Sequence, residues 1–208
     1  MTSLDDSVIQ PGSHGEHEMQ KSFNTQKQAQ SFYKRQMLDF LAPLMQTFII
    51  KQEMVFISTS DSHGECDCSL RTGEAGFIIV IDEHTLAYPD YKGNGVLAST
   101  GNLSENPHMG LLFIDFFEDK VGLHVNGKAK MIDNEALMTR LQTSMLKDKS
   151  LEDLSLGKKC MFWTLIEVEE AYIHCSKNIP MFEKTNEDKL NGKSCAVDYF
   201  ELQELDKS

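Results

Sequence analysis

The stretch MVFISTSDSHGECDCSLR, residues 54–71, decides the fold. Its first seven residues are rich in β-branched side chains, and its last six, CDCSLR, return as a second run. DSHGE (61–65) joins them with a glycine at the turn, so the whole reads as a β-hairpin. Outward from it the pattern recurs. GFIIVI (76–81) and TLAYP (85–89) form a second hairpin around DEH. MGLLFIDFF (109–117) is apolar on both faces and reads as a central strand, and VGLHVNGKAKMI (121–132) alternates and pairs with it across EDK. MFWTLIEVEEAYIHC (161–175) is long and alternating, a strand that closes a sheet. Hairpin connections impose antiparallel pairing, because parallel neighbours need long crossovers. Six or seven such strands predict a mainly β fold: a closed or nearly closed antiparallel barrel with peripheral helices.

The helices are read from spacing and caps. Tyr33, Met37, Leu41, Leu44, Met45 and Phe48 recur at helical intervals through residues 24–52, with Asn24 or Thr25 as N-cap. Pro43 is expected to break or kink that helix near its middle. GNGVLASTGNLSENP (93–107) reads as a short helix opening near Asn94 and closing before Pro107. NEALMTRLQTSML (134–146) is amphipathic, capped by Asp133 or Asn134. Residues 1 to about 24 lack periodicity and are expected to form a mobile or draped arm.

The chain has 208 residues, 40% of them hydrophobic, enough for one buried core. The expected organisation is one domain over residues 25–180, after the arm and before a C-terminal extension, 181–208. A formal charge of −12 argues against nucleic-acid binding, which needs clustered cations to displace counterions. No run approaches the roughly 20 apolar residues of a membrane span. The polar, acidic N-terminus does not resemble a secretory signal, so a cytoplasmic protein is expected. Five cysteines are an odd number, which disfavours a full disulfide framework. Cys66 and Cys68 share one face of a strand, but C-x-C has no matching pair of ligands; free thiols are expected and no metal site.

Three stretches carry side chains suited to an anion and a flat ring. In SLRTG (69–73), Arg71 ends a strand beside Ser69 and Thr72. Its planar fork suits phosphate oxygens, with hydroxyl donors alongside, or else it pairs with Glu74 at the surface. In YPDYKGNG (88–95), Lys92 adds a second cation, and Gly93 and Gly95 let backbone N–H groups approach a ligand closely, assisted by a helix starting at Asn94. The same loop also reads as a plain turn with a solvated lysine. It has neither the P-loop nor the Rossmann pattern, which excludes those nucleotide sites. In VGLHVNG (121–127), Gly122 leaves room for something flat against the backbone, and His124 either makes a structural bond or moves protons.

The run from FISTSDSHGECDCSLRTGEAGF through LAYPDYKGNGVLASTGNLSENPHMGLLFIDF to GLHVNGKAKMI resembles the pyridoxamine 5'-phosphate oxidase-related family of FMN-binding split barrels. More narrowly, it is similar to a branch of FMN-dependent oxidoreductases without an assigned substrate. The resemblance covers residues 15–180 and implies an antiparallel six-stranded split β-barrel. It further implies a homodimer with FMN at the interface. By the same resemblance Arg71, with Ser69 and Thr72, meets the flavin phosphate. Tyr88 and Pro89 support the ring and ribityl chain, while Lys92, Asn94 and Gly95 stand where the family carries a Ser-Arg-Lys clamp. Gly122, Leu123 and His124 face the flavin from the other subunit, although the family's glutamine is absent there. No counterpart of the family's Arg-x-Pro substrate segment is present, which weighs against pyridoxamine phosphate as substrate. An oxidoreductase acting on a small-molecule substrate or reductant is the leading expectation. A flavin or deazaflavin carrier is the alternative, and haem binding through His124 and His174 is a third.

Overall fold

The computed structural model describes residues 11–93, 95–155 and 157–184. Seven strands form one sheet in the order β2-β1-β5-β6-β7-β4-β3, every neighbouring pair antiparallel. They are β1 (Met54–Ser60), β2 (Cys66–Thr72), β3 (Ile79–Asp82), β4 (Thr85–Asp90), β5 (His108–Ile114), β6 (Gly122–Ile132) and β7 (Phe162–His174). The expected hairpin at 54–71 is present, with Met54 opposite Thr72 and Ser60 opposite Cys66. Its turn is fixed by the Asp61 carboxylate, which accepts from the N–H groups of His63 and Glu65, with Gly64 at φ +86°.

A six-stranded barrel is corrected to a seven-stranded open sheet, because β2 and β3 are edges that do not pair. The sheet nevertheless curls. Val55 and Ile57 of β1 share one core with Leu86 and Tyr88 of β4, which lie four strand positions away. Phe77 and Ile78, just before β3, plug into the same core. The opposite face, over β3, β4 and β7, is covered by α5 (Asn134–Leu141) and α6 (Leu151–Leu154), where Leu137, Leu141 and Leu154 pack on Trp163. As expected, Asp133 caps α5 by accepting from the Ala136 N–H. Trp163 is fully buried and donates its indole N–H to the Asn134 side chain at 2.9 Å.

Several local readings change. Pro43 does not kink a long helix but starts one. The chain forms α2 (Gln26–Arg35) and α3 (Pro43–Lys51) with Pro43 in the first turn, where its missing N–H leaves nothing unpaired. Between them Leu38 bridges to Ala171 of β7 by two backbone hydrogen bonds, so tertiary pairing takes over the intervening residues. The helical series is divided accordingly: Leu41 is fully buried and Leu44 is 84% exposed. Thr25 is the N-cap residue of α2 without a side-chain bond, and Asn24 takes the left-handed turn at φ +56°. Residues His14–Ser22, assigned to the arm by sequence, form helix α1 on a Ser13–Glu16 capping box. The loop before α4 (Ala98–Glu105) holds Gly95 and Leu97 at positive φ, so that helix opens four residues after Asn94. Strand β5 ends at Ile114 because the Asp115 carboxylate accepts from the N–H groups of Phe117, Glu118 and Asp119, turning the chain. No helix among the described residues is long and apolar enough to cross a membrane.

Candidate functional site

Alternation along β2 puts Asp67, Ser69 and Arg71 on one face and Cys66, Cys68 and Leu70 on the other. The curl of the sheet carries the first face toward the end of β4. There Arg71 Nε donates to Asp90 Oδ1 at 3.0 Å, and the guanidinium carbon lies 6.0 Å from the centre of the Tyr88 ring. The second Asp90 oxygen accepts from the Thr164 hydroxyl at 2.7 Å, on the neighbouring strand β7. Side chains therefore bridge β2 to β4 across a split that backbone pairing leaves open. Arg71 pairs with neither Glu74 nor solvent alone; its partner is Asp90.

A cleft of about 600 Å³ opens beside this bridge. It is lined by Ser69, Arg71 and Thr72 from β2, by Pro89 and Asp90, by Lys92, Gly93 and Gly95 of the loop, and by residues 96–100 running into α4. A side chain at Gly93 or Gly95 would meet nothing within 4 Å, so the peptide groups there stand open to a ligand, and Gly95 also needs its φ of +85°. The cluster of Ser69, Arg71, Thr72, Pro89, Lys92 and Gly95 expected from sequence is thus brought to one cavity. Asn94 lies outside the described residues.

Other expected members sit elsewhere. Tyr88 is 1% exposed and belongs to the core beneath Arg71, not to the cleft lining. Burial first, and then the Asp90 charge, push its phenol far above the ordinary tyrosine range, so it is a neutral strut. Gly122 and Leu123 line a second cavity of about 670 Å³, with Met45, Phe48 and Phe117. The reason for glycine at 122 is also different: a Cβ there would come within 2.8 Å of the His174 Cβ and 3.1 Å of the Phe113 carbonyl oxygen. Close packing of β5, β6 and β7 demands it, so a branched residue at 122 disturbs the sheet whether or not a ring lies nearby.

His124 Nε2 is 2.9 Å from His174 Nδ1, and its ring stacks on Tyr172 with centroids 4.7 Å apart. The two expected haem ligands therefore spend ring nitrogens on each other. Burial, and next the adjacent His174, hold the His124 imidazole below its ordinary 6.5. A histidine so lowered resists protonation in the folded state, so its stabilising contribution is present at neutral pH and lost as pH falls through the lowered value. The melting temperature is expected to drop between about pH 7 and about pH 5, and His124→Gln is expected to flatten that drop. Parallel melting curves for the two proteins check this; identical slopes would assign the acid sensitivity to other groups.

Sequence reading missed Asp67, Asp90, Ser99 and Thr164. Asp67 accepts from Ser69 and Ser99 at 3.0 and 2.8 Å, tying β2 to α4. Its period-two relation to Ser69 and Arg71 was a usable signal. Asp90 and Thr164 are 74 residues apart, and no local pattern links them. The two carboxylates offset the charge of Arg71 and Lys92, so what the cleft offers is directed donors more than net positive potential.

No curated protein matches the chain. Among solved structures it is similar to HupZ of Group A Streptococcus, at 15% identity over 68% of this chain and 98% of that one, TM-score 0.46. It is similar to an FMN-binding protein of Syntrophomonas wolfei at 12% identity, covering 77% and 98%, TM-score 0.43. The heme storage protein HutZ of Vibrio cholerae matches at 16%, covering 64% and 94%, TM-score 0.42. The family model for pyridoxamine 5'-phosphate oxidase matches residues 41–175, a span that contains all seven strands from Met54 to His174. The chain therefore belongs to the pyridoxamine 5'-phosphate oxidase family.

Proposed function

We propose that this protein is an FMN-binding oxidoreductase of unassigned substrate, acting as a homodimer with the flavin between subunits. The observation that carries the reading is the convergence of Arg71, Lys92 and the open peptide groups at Gly93 and Gly95 on one cleft. This set of donors suits a phosphate monoester: a fixed guanidinium, a flexible ammonium and unobstructed backbone. A cleft of about 600 Å³ is within the range of cofactor sites. Bound there, FMN would supply the electron transfer, while the chain binds, orients and shields it. Gly122 and Leu123, remote from the phosphate cleft within one chain, are the residues a second subunit would bring to the ring.

The first experiment is an absorption spectrum of the purified protein with the released cofactor identified by mass, followed by FMN titration. Arg71→Ala is expected to weaken FMN binding by about 1.5–3 kcal/mol, the scale of a charge-assisted hydrogen bond. An unchanged dissociation constant would remove Arg71 from the phosphate site. Anaerobic mixing with NADH or NADPH separates an oxidoreductase from a carrier: flavin bleaching no faster than that of free FMN would favour the carrier. A Soret shift on haem titration, without FMN binding, would replace the flavin reading altogether.

A further inference from the structure

We propose that Asp90 is the positioning residue of the anion site, holding Arg71 in the orientation from which it meets a phosphate. The inference rests on the FMN reading above. Asp90 is buried, and its two carboxylate oxygens are used differently. Oδ1 accepts from Arg71 Nε at 3.0 Å, and Oδ2 accepts from the Thr164 hydroxyl at 2.7 Å. Thr164 is itself buried on β7, so the carboxylate is anchored to the interior of the sheet and not to a mobile loop. Below the guanidinium lies the Tyr88 ring, and Arg71 Nη1 reaches the Leu70 carbonyl at 3.5 Å. An arginine on an edge strand would otherwise sample many rotamers, and ordering it on ligand binding would cost affinity. Prior fixation of Nε removes that cost and leaves the Nη edge as the part of the fork for the ligand.

A carboxylate beside a phosphate site also repels the ligand, so a definite alternative exists: Asp90 could serve only the sheet, with its charge weakening anion binding. The two roles differ in which flavin they affect. Riboflavin lacks the phosphate and shares the rest of the molecule. Asp90→Ala is expected to weaken FMN binding by about tenfold or more, the loss attached to a charge-assisted hydrogen bond, while riboflavin affinity stays within about twofold. Asp90→Asn, which keeps an oxygen for Arg71 Nε and an amide for the Thr164 oxygen, is expected to restore most of the FMN affinity. Thr164→Val removes only the anchor and is expected to give the same selective loss in smaller measure, and it serves if the alanine variant does not fold. Flavin fluorescence titrations on the full chain read all of these. Equal losses for both flavins, or tighter FMN binding by Asp90→Ala, would overturn the proposal. Failure of the wild-type chain to bind FMN would instead overturn the reading beneath it.

Discussion

Gly127→Ala is expected to destabilise the protein by about 3 kcal/mol, at the upper end for overpacking, and Gly127→Val to prevent soluble folding. The register of β6 against β7 shifts between Asn126 and Gly127, so the chain carries a bulge there. A Cβ built at 127 would stand only 2.0 Å from the Glu167 carbonyl oxygen and 3.2 Å from the Val168 Cα. Those are backbone atoms of the neighbouring strand, which cannot swing aside as a side chain can. Relief requires the two longest strands, eleven and thirteen residues, to part at their centre. Urea unfolding followed by circular dichroism measures the change; a midpoint equal to that of the wild type would mean that β6 and β7 do not approach this closely. The effect would reach the site, because β7 also carries Thr164.

Trp163→Ala is expected to cost about 3–5 kcal/mol, the range for deleting a large buried aromatic. Trp163 is fully buried at the junction of β7 with α5 and α6, beside Leu137, Leu141 and Leu154. Its removal leaves a cavity and also deletes the hydrogen bond to the Asn134 side-chain oxygen at the start of α5. Because it is the single tryptophan, unfolding of the variant has to be followed by circular dichroism. Trp163→Phe separates the two contributions, since it keeps most of the volume and loses the hydrogen bond. Loss of less than about 1 kcal/mol in the alanine variant would show that α5 and α6 contribute little to the domain.

The position of Trp163 next to Thr164 shows how packing and site are coupled. One residue faces the helix-covered core and the next faces Asp90, as alternation along a strand requires. A cavity beneath Trp163 would loosen the same strand that anchors the Asp90 carboxylate. Stability and anion affinity are therefore expected to fall together in Trp163→Ala.

The amino-acid sequence by itself determined the strands and the hairpin pairs among them. Period-two alternation and turn glycines are local properties, so the hairpins at 54–72 and 79–90 and the β5–β6 pair were legible in the residues alone. It also determined that Arg71, Lys92 and two glycines lie at strand ends, where a ligand can reach them. Only the tertiary structure decided that the sheet stays open at β2 and β3, that Arg71 turns to Asp90, that Tyr88 sinks into the core, and that Gly122 is required by the close approach of His174. Each of these depends on how far the sheet curls and which distant strands then face each other. Curl is a sum of small twists over many residues, and no single stretch of the chain encodes it.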